Sequence, residues 1–109
     1  MDDQRLVLGH LGLPDGGSVS FELRHDRWLT DDPHRLLRWH DGPLECRDGL
    51  CRLMIAKDMG AAIVLEGLDP AQASPGQRGR GRLLEAARPE HAQAALTWEI
   101  REVIVAPPV

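Results

Sequence analysis

Cys46 and Cys51 are the chain's two cysteines, and the residues between them are centred on Asp48-Gly49. Asp-Gly is among the strongest two-residue signals for a type I′ hairpin, whose backbone twist matches that of the strands it joins. Taking it as the turn opposes Arg47 to Leu50, Cys46 to Cys51, Glu45 to Arg52 and Leu44 to Leu53. Leu44, Cys46, Cys51, Leu53 and Ile55 then share one face, and a slip of one residue would send that apolar set to the other side. On the opposite face Glu45 meets Arg52, a cross-strand charge pair worth about 0.2–1 kcal/mol.

Two thiols so placed have three chemistries open to them. As a non-hydrogen-bonded pair, with α-carbons about 4.5 Å apart, they suit a cross-strand disulfide, although free thiols are the usual state in a reducing compartment. With His34 and His40 they form the chain's one cluster of metal-ligand types, a set that could hold zinc. Its spacing departs from the paired Cys-x2-4-Cys knuckle of structural zinc sites. The plainest expectation is two free thiols buried as small apolar side chains, with no metal and no cofactor.

The run Gln77-Arg78-Gly79-Arg80-Gly81-Arg82 sets three cations along a pliable backbone, a composition that can follow phosphates without reading bases. Nucleic acid bound through Arg78, Arg80 and Arg82 is therefore one alternative partner. Against it, Phe21 is the single phenylalanine, and bases could stack otherwise only on Trp28, Trp39 and Trp98. A solvated loop is the plainer expectation. Trp98 reads as core. Trp28 and Trp39 flank a segment of undecided conformation and are the best candidates for a partner surface, because tryptophan is enriched in binding hot spots.

For catalysis there are two adjacent pairs, His25-Asp26 and His40-Asp41, with Ser18, Ser20, Ser74 and the cysteines as nucleophile types. Neighbours on a strand point to opposite faces, so adjacency alone makes no dyad. No nucleophile elbow, phosphate loop, dinucleotide fingerprint or His-Glu-x-x-His motif is present. No catalytic residue is assigned.

The elements that must position these residues are mostly strands. Arg5 to Leu13 is an apolar run that turns through Pro14-Asp15-Gly16-Gly17 into Ser18 to Arg24, where Val19, Phe21 and Leu23 alternate with polar residues. Asp32-Pro33 reads as a helix start, Asp32 the N-cap, and a short helix or turn is expected over 33–40. Asp41-Gly42-Pro43 reads as a turn before the Asp48-Gly49 hairpin. Lys57 to Gly60 is a further turn, followed by a buried strand from Ala61 to Leu68. A flexible, exposed loop is expected over about 69–81, rich in Pro, Gly and small polar residues. Arg80 to Ala87 reads as a strand, Pro89 to Leu96 as a short helix, and the last strand places Trp98, Ile100, Glu102 and Ile104 on one face.

The sum is a mainly β fold, a small antiparallel barrel or sandwich of about six strands with one or two short helices. The alternative is α+β, with the helices on one face of an antiparallel sheet. At 109 residues, 42% apolar and 28% charged, the chain should fold as one globular domain. Its net charge of −4 offers no global attraction to nucleic acid or anionic membrane. Lys57 is the single lysine, and asparagine and tyrosine are absent, which reads as the coding bias of a GC-rich, bacterial genome. No segment reaches the roughly 20 apolar residues of a membrane helix, and the start lacks signal-peptide character, so a cytoplasmic protein is expected. The leading functional expectation is a small non-enzymatic binding or accessory protein acting through protein contacts, as a homodimer joined by a sheet face or edge. Thiol redox or zinc chemistry at Cys46 and Cys51 is the other alternative.

Overall fold

The computed structural model describes residues 4–34, 36–37, 40–54, 61–85 and 94–106. It contains eight strands: β1 (Gln4–Gly12), β2 (Ser18–Leu23), β3 (Arg27–Asp31), β4 (Asp41–Arg47), β5 (Leu50–Met54), β6 (Ala61–Glu66), β7 (Arg78–Glu85) and β8 (Ala94–Ala106). Each pairs antiparallel with the next, and β8 returns to β1, so the meander closes into a barrel. A mainly β antiparallel barrel or sandwich was the expectation, and the barrel is what forms. The strand number is eight rather than about six, and the sandwich and α+β alternatives are set aside. Closure is the physical gain, because it gives each strand two neighbours where a sandwich would leave raw edges.

Alternation decides what fills the interior. Val7 and Leu11 of β1, Val19, Phe21 and Leu23 of β2, Trp28 of β3, Cys51 and Leu53 of β5, Ile63 and Leu65 of β6, and Leu96, Trp98 and Ile100 of β8 form one buried cluster. An eight-stranded barrel has an interior just wide enough for side chains to fill, and this one is filled. Leu37 joins the cluster from the β3–β4 connection, and Leu68 and Ala73 join it from the β6–β7 connection.

Four local expectations change. First, of the short helix or turn expected over 33–40, the described residues show the turn, at Pro33-His34, and no helix. Asp32 does accept backbone N–H groups, but from Leu36 at 2.9 Å and Leu37 at 2.6 Å, so its carboxylate closes a loop. Second, Asp41, Gly42 and Pro43 lie inside β4, opposite Leu29, Trp28 and Arg27. Gly42 is needed there because a Cβ would run into the Met54 carbonyl, which accepts the Trp28 indole N–H at 2.7 Å.

Third, the expected loop over 69–81 is shorter and holds a turn of its own. A 3-10 turn, Pro70–Gln72, is capped by the Asp69 carboxylate, Arg5 donates to the carbonyls of Pro70 and Ala73 at 3.0 and 2.9 Å, and β7 begins at Arg78. Fourth, Ala94 to Leu96 belongs to β8 and not to a helix; 86–93 lies outside the described residues, as does the Lys57 to Gly60 turn.

The face of β8 is also redrawn. Leu96, Trp98 and Ile100 point inward, but the β1 register steps from Gly9 opposite Ile100 to Leu8 opposite Glu102, leaving Arg101 as an extra residue. After this bulge Val103 packs on the core, while Glu102 and Ile104 are exposed. Without the extra residue, strict alternation would have carried the Glu102 carboxylate into the barrel, an expensive burial.

Candidate functional site

The β4–β5 hairpin has the register expected of it: Arg47 opposite Leu50, Cys46 opposite Cys51, Glu45 opposite Arg52 and Leu44 opposite Leu53. Asp48 and Gly49 have φ of 56° and 76°, the left-handed pair that a type I′ turn requires. The ionic contact of Glu45 runs along its own strand, to Arg47 at 3.8 Å.

The two sulfurs differ. Cys51 is fully buried, whereas Cys46 is exposed, so the expectation of two buried thiols holds for one of them. Cys51 lies within hydrogen-bond distance of the Leu68 carbonyl, 3.0 Å away. It also hydrogen-bonds the Cys46 sulfur. That bond pulls the Cys46 thiol below its ordinary pKa, against the opposing effects of partial burial and of the Asp69 and Glu45 carboxylates. The Cys51 thiol is pushed far up by the same bond and by burial. The hydrogen bond therefore favours the thiolate form at Cys46 and the protonated form at Cys51.

Cys46 opens into a cavity of about 1060 Å³ at this end of the barrel, the end that carries the β2–β3 turn, the hairpin tip and the 3-10 turn. Leu6, Leu23, Leu44 and Ile104 supply apolar wall. Arg5, Arg24, His25, Asp26, Arg27 and Asp69 supply the polar rim. Arg5 is committed to the two carbonyls beneath it, and Arg24 to Glu22 at 2.7 Å. Arg27 has no ion-pair or hydrogen-bond partner for its side chain among the described residues, which leaves it the cation open to a visiting anion. The open end of a β-barrel is a common place for a ligand site.

The other candidates are placed differently. His34 and His40 are exposed in the β3–β4 connection, and β4 carries the chain from Asp41 to Cys46 over about 17 Å at the usual rise per residue. The histidines are thus at the end of the barrel opposite the thiols, and the zinc set is not assembled. Trp28 is fully buried with its N–H satisfied by Met54, so it offers no partner surface. Trp39 lies outside the described residues. Trp98 is core, as expected, and donates to the Glu66 carbonyl at 3.0 Å.

The arginine-glycine run is a strand whose glycines face inward. A Cβ on Gly79 would lie 2.6 Å from the Trp98 ring, and one on Gly81 2.6 Å from Leu96 and from the Val64 carbonyl. Arg78, Arg80 and Arg82 point out, and two of them meet carboxylates, Arg78 with Glu99 at 3.6 Å and Arg82 with Glu66 at 3.4 Å. Phe21, Trp28 and Trp98 all point into the barrel, leaving no aromatic beside these arginines among the described residues on which a base could stack.

A second, shallower groove of about 610 Å³ crosses the outer face of β8, β1, β2 and β3. His10 and Ser20 line it, and with Glu99 beside them they stand in one cross-strand row, acid, imidazole and hydroxyl in the order of a hydrolytic triad. Other partners hold two of them: the bulge aims Arg101 at the His10 Nε2 at 2.8 Å, and Glu99 faces Arg78. His10 therefore has its Nε2 engaged by Arg101.

The rim of the first cavity was not singled out from sequence. Arg5 was hidden inside an apolar run, and its signal was parity: it shares the inward phase of Val7 and Leu11. Comparison with protein-family models, curated proteins and solved structures returned no match to this chain.

Proposed function

We propose that this protein is a small binding protein whose ligand seat is the open barrel end between the Arg24–Arg27 turn, Cys46 and the Asp69–Ala71 turn. The observation that carries the reading is the cavity itself, an apolar wall below an unpaired guanidinium. That pairing suits a small molecule with an apolar body and an anionic head, its carboxylate or phosphate meeting Arg27 and its body lying along Leu23, Leu44 and Ile104. The filled interior limits such a ligand to the barrel end.

Fluorescence titration with a dansyl-labelled undecanoate tests this. Saturable binding is expected, weakened about tenfold, or 1.4 kcal/mol, by Arg27→Glu. Absence of saturation, or equal affinity in the variant, would overturn it.

Protein contact is a second reading, supported by Ile104 and Val105, large apolar residues 43% and 47% exposed. They lie on the part of β8 past Ile100, where β7 no longer pairs among the described residues. Such an edge suits strand addition by a second copy of the chain. Native mass spectrometry should then give a dimer that Val105→Lys dissociates, and a wild-type monomer at micromolar concentration would exclude it.

A further inference from the structure

We propose that Cys46 and Cys51 form a peroxide-operated switch in which oxidation joins the two sulfurs and releases the 68–73 segment from the barrel end. The inference rests on the thiol geometry and is independent of the ligand reading.

Three observations combine. Cys46 and Cys51 are direct cross-strand partners next to a two-residue turn, the close, non-hydrogen-bonded kind of pair whose separation falls within disulfide range. Their exposure is divided, with Cys46 open to the cavity and Cys51 sealed beneath it. The Cys51 sulfur also faces the carbonyl of Leu68 at 3.0 Å, where both residues are buried. The Cys51 thiol thus faces the Leu68 oxygen and has Cys46 as its cross-strand partner.

The chemistry follows from that division. The Cys46 thiolate attacks a peroxide oxygen, an S–O bond forms as the O–O bond breaks, and the departing hydroxide takes up a proton as water. Cys46 becomes a sulfenic acid. The Cys51 sulfur then attacks the Cys46 sulfur, an S–S bond forms as the S–O bond breaks, and the Cys51 proton leaves with the hydroxyl as a second water. Two thiols have lost two electrons and two protons, and hydrogen peroxide has been reduced to two waters.

The structural consequence is that Cys51 no longer has a proton to give. Leu68 loses the thiol donor facing its carbonyl, and Leu68 with Ala73 is what seats this segment on the core. The remaining ties are the two Arg5 hydrogen bonds and the Asp69 cap.

Intact-mass measurement of reduced protein treated with stoichiometric hydrogen peroxide, followed by hydrogen exchange, tests both halves. The expected results are a loss of two hydrogen masses that dithiothreitol restores, and faster exchange over 68–73 in the oxidised protein. Cys46→Ser should show neither change, while Cys51→Ala should retain a sulfenic acid that dimedone captures at Cys46. A protein that keeps both thiols, or that oxidises only to an intermolecular dimer, would overturn the thiol chemistry. A disulfide that forms with exchange over 68–73 unchanged would overturn the coupling to the segment.

Discussion

The β4–β5 hairpin and the β7 arginine run were both places where sequence suggested chemistry, and the barrel treats them in opposite ways. In the hairpin the distinctive side chains, the cysteines, take the inward phase and meet at an open end. In β7 the distinctive side chains, the arginines, take the outward phase, and the inward phase is given to glycines. The residues of the run that matter to the fold are the ones without side chains, because Trp98 beside Gly79 and Leu96 beside Gly81 occupy the space theirs would need. A motif read along a strand is two motifs, one for each face, and only the phase tells which of them meets a cavity.

The largest test of this contrast is to put a side chain where β7 has none. Gly81→Val should destabilise the protein by about 3 kcal/mol, at the upper end of overpacking costs, because its Cβ meets the Val64 backbone as well as the movable end of Leu96. Urea unfolding measures it, and a midpoint equal to wild type would mean that the inward phase of β7 is wrong.

A smaller effect sharpens the hairpin side. Alkylation of Cys46 requires the thiolate, and the Cys51 hydrogen bond favours that form while Glu45 and Asp69 oppose it. The iodoacetamide rate should therefore rise with pH through a midpoint below that of an ordinary cysteine. Cys51→Ala removes the donor, so the midpoint should climb and the rate near neutrality should fall. Arg24, His25 and Arg27 also line this cavity and are kept unchanged in the comparison.

The smallest effect is expected from the arginines themselves. Replacing Arg78, Arg80 and Arg82 together by Gln removes two exposed ion pairs, each worth about 0.2–1 kcal/mol. The change in unfolding free energy should stay within about 2 kcal/mol for the set. Wild-type binding to single-stranded oligothymidylate that is salt-sensitive and lost in this variant would instead make the run a nucleic-acid contact.

What sequence disclosed and what it hid divide along the same line. The hairpin register was legible because turn type, apolar phase and the Glu45–Arg52 opposition are all local. The Ser18–Leu23 strand was legible because its alternation is complete. The β3 strand was obscured by Asp32-Pro33, whose capping chemistry is real but acts on Leu36 and Leu37 across a loop. The wall role of Gly79 depends on Trp98 and that of Gly81 on Leu96 and Val64, all distant in the chain, and could not be seen from composition that reads as loop. The cavity rim gathers residues from the 20s, 40s and 60s with Arg5 and Ile104, a set that exists only once the barrel has closed. The change of face in β8 required the position of the bulge, which is set by the β1 partner.

That closing contact has a consequence for the order of events in making the molecule. β1 and β8 are the first and last strands, yet they pair from Gln4 with Ala106 to Gly12 with Thr97. The ring cannot shut during synthesis until the final strand has emerged. Until then β1 waits with one edge unmatched, while the β4–β5 hairpin, whose partners are near neighbours, can form at once. The last seam to be sewn is the longest-range one, and it is the step at which an unfinished chain is most open to pairing with the wrong strand.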